Sequence, residues 1–198
     1  MFTKFRERIL KTLHIPETEC DEFFATAKTI EYLRPKDYFV KENETARKLA
    51  FVNKGALRMF YISPAGKEIN TRFFLENDFA VAYQSFLLQQ PGKYFIQALK
   101  DCELVTIPHS TLMNAHEHSD LWNKFGRIIA EKSFIAAERR NESLLFLNAE
   151  ERYLELEQKN PRILEQVPLY HIASYIGIER ESLSRLRKKI SLPGKIVT

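Results

Sequence analysis

The chain has 198 residues, of which 44% are hydrophobic and 28% are charged, and its formal net charge is +4 at pH 7. No uninterrupted apolar run approaches the roughly 20 residues that a membrane-spanning helix needs. The charged, periodic N-terminus also lacks the separate apolar core and the cleavage site of a signal peptide. We therefore expect a globular protein of the cytoplasm that meets no membrane.

The two cysteines, Cys20 and Cys102, lie far apart in the sequence. They are too few to hold an iron–sulfur cluster or a cysteine-rich zinc site by themselves, and a cytoplasmic chain keeps such thiols reduced. We expect two small, half-buried side chains.

The N-terminal part of the chain predicts a helix and then a series of strands. Residues 1 to about 25 are expected to be helical, because Phe5, Ile9 and Leu13 recur every four residues until Pro16. From about Thr29 to Pro108 follow seven short segments that are rich in β-branched and aromatic residues and are separated by turn signals. This spacing is typical of an antiparallel sandwich or jelly roll.

One long helix is predicted from about Ser119 to Leu147, with an apolar stripe formed by Leu121, Phe125, Ile128 and Ile135. Such a stripe packs either along the chain's own barrel or against a copy of itself, as in a coiled coil. Lys132 and Arg139 interrupt the seam, so core packing alone stays open, but we favour dimerisation. A second short helix is expected at 149–158, and residues 161–168 are expected to form a helical turn or linker.

Residues 167–190, VPLYHIASYIGIERESLSRLRKKI, fit a helix-turn-helix unit. In the first helix the small Ala173 lies beside an apolar face and allows the two helices to cross closely. Gly177 then ends that helix in a tight turn that can use positive φ. The aliphatic residues that complete the core are Ile172, Ile176, Ile178, Leu183, Leu186 and Ile190. Because these constraints are independent, their agreement indicates a DNA-reading unit rather than an ordinary helical hairpin.

The exposed face of the second helix carries side chains that suit DNA. Arginine bonds guanine as a bidentate pair and glutamate accepts from cytosine, so we assign base reading to Arg180, Glu181, Ser184 and Arg185. Phosphate contacts position a protein without reading the sequence, and we assign them to Ser182, Arg187, Lys188 and Lys189. Residues 179–195 hold six Lys or Arg against two Glu, so the whole net charge could lie on this segment. Glu179 stands at the expected N-cap, where Ser, Thr, Asp or Asn would fit better.

A jelly roll, one long helix and a helix-turn-helix, in this order, resemble the Crp/Fnr regulators over almost the whole chain. The most specific motif is IGIERESLSRLRKKI, which is similar to the family's G-x-S-R-E-T-V-x-R recognition helix. The resemblance implies an α+β fold with a sensor barrel over residues 1–110, a connecting dimerisation helix over 111–147 and a winged-helix-like DNA-binding domain over 148–198. It also implies a homodimer that reads a palindromic site with half-sites about one helical turn apart, with RNA polymerase as a further partner.

The cyclic AMP sensors of this family carry a cassette written G-E-L, a short loop and R-S/T-A. In this chain Val81-Ala82-Tyr83 stands in place of G-E-L, and Gly92-Lys93-Tyr94 stands in place of R-S/T-A. The ribose-binding carboxylate and the phosphate-binding arginine are therefore both missing, and the helix positions that contact adenine hold Ala137 and Glu138. Because Lys93 is a poor replacement for a bidentate arginine, we expect that cyclic AMP is not the effector.

Other sensing chemistries lack their ligands in this sequence. A haem needs an axial His or Cys, and residues 29–108 contain no histidine. His116 and His118 suit a metal by type, but no third ligand is evident near them, so we assign them to a solvated helix start. We expect no haem, iron–sulfur cluster, metal or other cofactor.

The effector pocket implied by the resemblance holds Tyr83, Phe86, Lys93 and Tyr94, together with Phe95. These aromatic residues favour a pocket that is filled by side chains, and a largely apolar ligand is the alternative. After Ile190 only SLPGKIVT remains, which is enough for one strand, so a complete two-stranded wing is not expected.

Two other functions fit parts of the sequence. A sensor or interaction module of the same fold could have lost DNA binding, but the basic second helix argues against it. A jelly-roll enzyme of the cupin type would need inward-facing histidines and a carboxylate to hold a metal, and no histidine lies between Ile15 and Pro108. With no Ser-His-Asp set and no Gly-rich phosphate loop either, we expect that the chain is not an enzyme.

Overall fold

A computed structural model describes residues 3–14, 29–118 and 120–191 of the chain. Within these residues lie eight strands: β1 (Thr29–Leu33), β2 (Tyr38–Val40), β3 (Lys48–Lys54), β4 (Ala56–Ile62), β5 (Glu68–Leu75), β6 (Phe79–Ala80), β7 (Phe95–Ala98) and β8 (Cys102–Pro108). The same residues form eight helices: α1 (Thr3–Leu13), α2 (Tyr83–Leu88), α3 (His109–His118), α4 (Asp120–Phe146), α5 (Ala149–Lys159), α6 (Pro161–Gln166), α7 (Leu169–Ile176) and α8 (Arg180–Ser191). None of the described helices combines the length and the apolar character needed to cross a membrane.

The strands form two four-stranded antiparallel sheets, with the orders β1-β8-β3-β6 and β2-β7-β4-β5. Apolar side chains from both sheets meet in one buried core, among them Leu49, Phe51, Leu57 and Phe74. The jelly roll and the α+β class predicted from the sequence are confirmed. Strand β5 pairs with β4 alone and is therefore an edge strand of its sheet.

The N-terminal helix packs on this barrel with its predicted apolar face. Phe5, Ile9 and Leu13 are fully buried in the barrel core. The Lys124 ammonium of α4 donates to the Leu13 carbonyl at 2.7 Å, which ties the end of α1 to the long helix. The remainder of the helix predicted for residues 1 to about 25, including Cys20, lies outside the described residues.

The long helix divides its predicted apolar stripe between two environments. Phe125 is fully buried in the chain's own core against Phe79, and Leu121 and Ile128 pack partly buried against the same core. Ile135 is 46% exposed. The stripe prediction is thus corrected for Phe125, whose contacts with the barrel leave it no surface for a second chain. The exposed apolar side chains of α4 are Phe134, Ile135, Leu144, Leu145 and Phe146, all in its C-terminal half.

The last four helices share a second, smaller core. Its buried residues are Tyr153, Leu156, Val167, Ile172, Ala173, Ile176 and Leu183, together with Phe73 from the edge strand β5. Since one barrel residue belongs to this core, the helical unit is packed onto the barrel rather than joined to it only through the chain.

Two elements were not predicted from the sequence. Strand β6 has only two residues and is too short to display an alternating pattern. Helix α2 has six residues and buries only Ser85 and Phe86, which is too little for a helical period to be recognised. Residues 161–166, expected as a helical turn or linker, form the short helix α6.

Candidate nucleic-acid interface

The turn between α7 and α8 has the geometry that the sequence predicts. Gly177 adopts φ 79° and ψ 34°, and its amide donates to the Ala173 and Ser174 carbonyls. The next amide, that of Ile178, also donates to the Ala173 carbonyl, at 3.0 Å. A Cβ atom at Gly177 would meet only the Arg152 guanidinium, at 3.6 Å. Glycine is therefore favoured here by its positive φ and not by lack of space.

Helix α8 separates an apolar face from a polar one. Leu183 is fully buried, and Leu186 and Ile190 pack partly buried against the smaller core. The four side chains assigned to base reading, Arg180, Glu181, Ser184 and Arg185, are all exposed. Of the residues assigned to phosphates, Ser182 is half-buried, whereas Arg187, Lys188 and Lys189 are exposed. All eight thus lie on the surface of one helix.

Several of these polar side chains have partners within the chain. The Arg185 guanidinium donates to the Ser182 hydroxyl at 3.3 Å. The Lys189 ammonium forms an ion pair of 2.7 Å with Glu150 of α5. Both contacts lie at the surface, so solvent or a phosphate can replace them at little cost.

Glu179 precedes α8, and its side chain binds Lys67 in place of the helix amides. The Lys67 ammonium lies 2.7 Å from the Glu179 carboxylate, and this hydrogen bond lowers the pKa of Glu179. The backbone carbonyl of Glu179 accepts from the Leu183 amide at 3.1 Å. The expected N-cap is therefore a residue that links the turn to the hairpin between β4 and β5.

Helix α7 packs on the edge strand β5 through its polar side. The Ser174 hydroxyl donates to the backbone carbonyl of Glu68 at 2.8 Å and accepts from the backbone amide of Asn70 at 3.0 Å. One side chain thus satisfies two backbone groups of a strand that has no neighbour on this side. Such groups otherwise remain open to pairing with another chain.

A buried polar cluster lies beneath this contact, centred on Arg58 of β4. Arg58 is 4% exposed. Its guanidinium donates to the Gln97 amide oxygen at 2.6 and 2.9 Å and forms an ion pair of 2.6 Å with Glu68. The same guanidinium lies 3.8 Å from the centre of the Phe60 ring. All these partners belong to the barrel, so Arg58 is held in place by its own sheet.

From α7 the cluster receives His171, which is also 4% exposed. Its Nδ1 atom lies 3.1 Å from the Arg58 guanidinium and 3.4 Å from Nδ2 of the Asn70 side chain. A guanidinium can only donate, so Nδ1 must accept and cannot carry a proton. Burial, with Arg58 as a second cause, lowers the pKa of His171 to about 4. The imidazole is therefore neutral wherever this contact exists.

Two arginines of α4 and α5 bind the other end of α7. Arg140 donates to the Tyr175 carbonyl, and its guanidinium lies 4.1 Å from the centre of the Tyr175 ring. Arg152 donates to the Ile176 carbonyl at 2.7 Å. The last carbonyls of a helix lack partners within it and carry its negative end. Helix α7 is therefore fixed to the long helix by Arg140 and to α5 by Arg152, as well as to the barrel.

A cleft of about 1030 Å³ lies between β5, α4 and α7, and we refer to it as the central cleft. Six cationic side chains line it, which are Arg72, Lys93, Arg139, Arg140, Arg152 and Lys159, against the acidic Asp78 and Glu155. Val81, Ala82, Tyr83 and Ala137, which stand at the family's ligand-binding positions, line it as well. The cleft is thus not filled by side chains, which corrects the first expectation, and its lining combines these charged groups with apolar ones.

The residues predicted for the effector pocket are only partly brought together. Tyr83, Lys93 and Tyr94 line the central cleft, and burial raises the pKa of Tyr83. Phe86 instead is 2% exposed and lines a separate apolar pocket of about 350 Å³ with Tyr83, α3 and α4. Phe95 stacks on Phe60 with ring centres 4.9 Å apart. The prediction is corrected for Phe86, because α2 turns its ring into the barrel core.

No cofactor site is apparent among the side chains that the structure describes. These side chains include no group of three or more His, Cys, Asp or Glu that could hold a metal ion. His116 and His118 belong to α3, but their side chains lie outside the described ones. Cys102 is buried, and burial raises the pKa of its thiol. The residues of the predicted short wing, 192–198, also lie outside the described part.

Comparisons with known proteins agree with this geometry. Residues 30–119 match the family of the cyclic nucleotide-binding domain. Among solved structures, FixK2 from Bradyrhizobium japonicum is similar with a TM-score of 0.70 and 18% identity, over 84% of this chain and 89% of that one. The regulator CLP from Xanthomonas campestris gives a TM-score of 0.65 and 18% identity, over 87% and 91%. Catabolite activator protein from Thermus thermophilus gives 0.56 and 15%, over 93% and 86%.

The structural neighbours are transcription regulators of the Crp/Fnr type. At these identities the likeness shows a common fold for the barrel, the long helix and the C-terminal helices. No curated protein sequence gives a significant match.

Proposed function

We propose that this chain, which carries a cyclic nucleotide-binding domain on the Crp/Fnr fold, is a sequence-specific DNA-binding transcription regulator. The observation that carries the proposal is the outer face of α8, where Arg180, Glu181, Ser184 and Arg185 are exposed together beside a cationic run. Arg180 and Arg185 reach guanine edges in the major groove, Glu181 accepts from cytosine and Ser184 bonds either base. Such a protein acts in the cytoplasm, together with RNA polymerase.

The phosphate contacts are assigned to the flanking residues Ser182, Arg187, Lys188 and Lys189. Binding of DNA requires Lys189 to exchange Glu150 for a phosphate oxygen, because the two side chains form an ion pair of 2.7 Å in the free chain. The exchange is inexpensive, since both partners are substantially exposed.

We propose that two chains bind together, each placing α8 in one half of a palindromic site. The exposed apolar half of α4 supports this arrangement. Phe134 and Leu145, and likewise Ile135 and Phe146, are eleven residues apart and so lie on one side of the helix. An apolar strip of this kind is buried when two helices pair. Sedimentation equilibrium of the free protein should give the mass of two chains.

We propose further that cyclic AMP is not the effector. By resemblance to the family's cassette, a cyclic AMP site in this chain would need a carboxylate for ribose and an arginine for phosphate. Ala82 and Lys93 stand at those two positions, the first buried and the second exposed. Titration calorimetry with cyclic AMP should detect no binding at micromolar concentrations.

A gel-shift experiment with random-sequence duplexes tests DNA reading. The wild-type chain should select a palindromic site and lose affinity steeply as salt increases, because phosphate contacts release counterions. Arg185→Ala should cost about 1–3 kcal/mol and relax the preference at one base pair, whereas Lys189→Ala should weaken all sequences about equally. Lys48→Ala, which removes an exposed cation of the barrel, serves as the control.

Absence of a salt-dependent shift for the wild-type chain would refute DNA binding. Identical sequence preferences for Arg185→Ala and Lys189→Ala would refute the division between base and phosphate contacts.

A further inference from the structure

The central cleft holds one arginine that differs from the others around it. Arg140 and Arg152 donate to the carbonyl groups that end α7. Arg72 of β5 also lines the cleft, yet its guanidinium makes no hydrogen bond or ion pair with any residue in the described ranges. Its guanidinium carbon lies 4.9 Å from the centre of the Phe74 ring.

The surroundings of Arg72 do not neutralise it fully. Burial lowers the pKa of Arg72, and the charge of Asp78 offsets this effect only in part. Asp78 is itself engaged elsewhere, since its carboxylate accepts from the Leu75 amide at 2.9 Å. Burial also raises the pKa of Asp78. A partly buried cation that faces an open cavity without a hydrogen-bonding partner is the arrangement expected of an anion-binding group.

The remaining lining favours the same kind of ligand. Lys93 and Arg139 are exposed at the cleft and attract negative charge from solution. Tyr83 and Tyr94 offer aromatic surface and hydroxyl groups beside them. The cavity of about 1030 Å³ is larger than an inorganic ion requires and is of the size that holds a small organic molecule.

We propose that the central cleft binds a small organic anion, and that Arg72 holds its carboxylate or phosphate group through the guanidinium. Arg72 lies on β5, outside both halves of the cyclic nucleotide cassette, and Tyr175 of α7 lines the same cleft. A molecule bound there touches the barrel, the long helix and the first helix of the DNA-reading unit together. Binding of this anion extends the proposed function but does not depend on it, because anion binding is measured without DNA.

Thermal unfolding of the full chain tests the site with inorganic phosphate and with citrate as probes. Each is compared with sodium chloride at equal ionic strength for the wild type, Arg72→Met and Arg127→Met. Arg127 is the matched control, since it is an exposed arginine of α4 that pairs with Glu131 and lies outside the central cleft. Exclusion of these salts from the protein surface stabilises all three chains alike, so the difference between variants reports binding.

We expect one or both probes to raise the unfolding midpoint of the wild type and of Arg127→Met. At a probe concentration about 100 times the dissociation constant, the unfolding midpoint of the wild type should rise by roughly 5 °C or more beyond the rise seen for Arg72→Met. A response to phosphate alone assigns a phosphate group to the ligand, and a response to citrate alone assigns carboxylates. An equal response of all three chains to both probes would overturn the proposal.

A second readout separates binding from a merely structural role. In chloride, Arg72→Met should unfold at a temperature no lower than the wild type, because it removes a buried charge without a full partner. A lower midpoint would assign Arg72 to the fold and overturn the proposal. Arg72→Lys keeps the charge without the planar fork and should retain only part of the response to either probe.

Discussion

The outer face of α8 and the inner face of α7 belong to the same helix-turn-helix and are built in opposite ways. On α8 the side chains assigned to base reading are exposed, and the contact of Arg185 with Ser182 lies at the surface. On α7, His171 and Ser174 are tied to backbone and buried side chains of the barrel. The unit thus leaves one face exposed for the proposed contact with DNA and packs the other against the barrel.

This difference indicates where control of the proposed DNA binding would act. The α8 face is exposed within the described residues, so the barrel does not cover it in this structure. The contacts of α7 instead fix the direction in which α8 points. In a pair of chains that direction decides whether both helices reach the same side of a duplex. Substitutions of Arg58 and His171 weaken the contacts of α7, and substitution of Gly177 alters the turn, while the exposed side chains of α8 are unchanged.

Removal of the central arginine should have the largest effect. Arg58→Met leaves Gln97 and His171 without their donor, and we expect the free energy of unfolding to fall by about 3 kcal/mol. Glu68 is 47% exposed and can be hydrated, which keeps the loss from being larger. Urea unfolding at pH 7 measures it.

Lys67→Met is the matched control, because it removes a charge that links the same two parts of the chain at the surface. The Lys67–Glu179 pair is exposed on both sides, so no measurable loss of stability is expected. An equal loss for both variants would contradict the assignment of the buried cluster as the stronger link.

The pH dependence of stability should carry the signature of His171. Its pKa is about 4 in the folded chain against 6.5 for an ordinary histidine, so between these values only the unfolded chain binds the proton. Stability is therefore complete above about pH 6.5 and falls as the pH drops towards 4, by roughly 3 kcal/mol in total. Urea unfolding at several pH values measures the slope.

His171→Gln should remove most of this slope, whereas His109→Gln, at another histidine, should retain it. Equal slopes for the wild type and His171→Gln would show that folding does not lower the pKa of His171, and would contradict the contact of Nδ1 with Arg58.

The turn glycine should have the smallest effect of the three. Gly177→Ala places a Cβ atom on a residue with φ 79°, and the free energy of unfolding should fall by about 1 kcal/mol. Gly177→Asn should lose less, because asparagine tolerates the left-handed conformation better. If alanine and asparagine were equivalent in urea unfolding, the argument from φ would not hold.

The sequence predicts those features that depend on local patterns. Gly177, Ala173 and Leu183 specify the helix-turn-helix because each satisfies a constraint set by its near neighbours. The jelly roll follows from the alternation and turn spacing of the strands. The recognition face follows from helical period, since all residues that do not pack inward are left for solvent.

The link to the barrel is missed because it joins residues that are 113 positions apart, Arg58 and His171. Each leaves only a weak signal. Arg58 is the one charged residue of β4, ALRMFYI, and His171 stands in the otherwise uncharged α7, LYHIASYI. A lone charge or imidazole in such a setting indicates a buried polar partner without naming it. Arg72 gives no signal for a different reason, because it lies on β5, outside the family cassette in which Lys93 stands at the arginine position.

Helix α7 also shields the open edge of β5, where Ser174 occupies the place of a neighbouring strand. Displacing the helix pair would uncover a strand edge of eight residues with free amide and carbonyl groups. A chain cut after α4 would carry that edge permanently and should self-associate more readily than the whole protein. On this argument the helix-turn-helix unit also protects the edge of β5 from pairing with another chain.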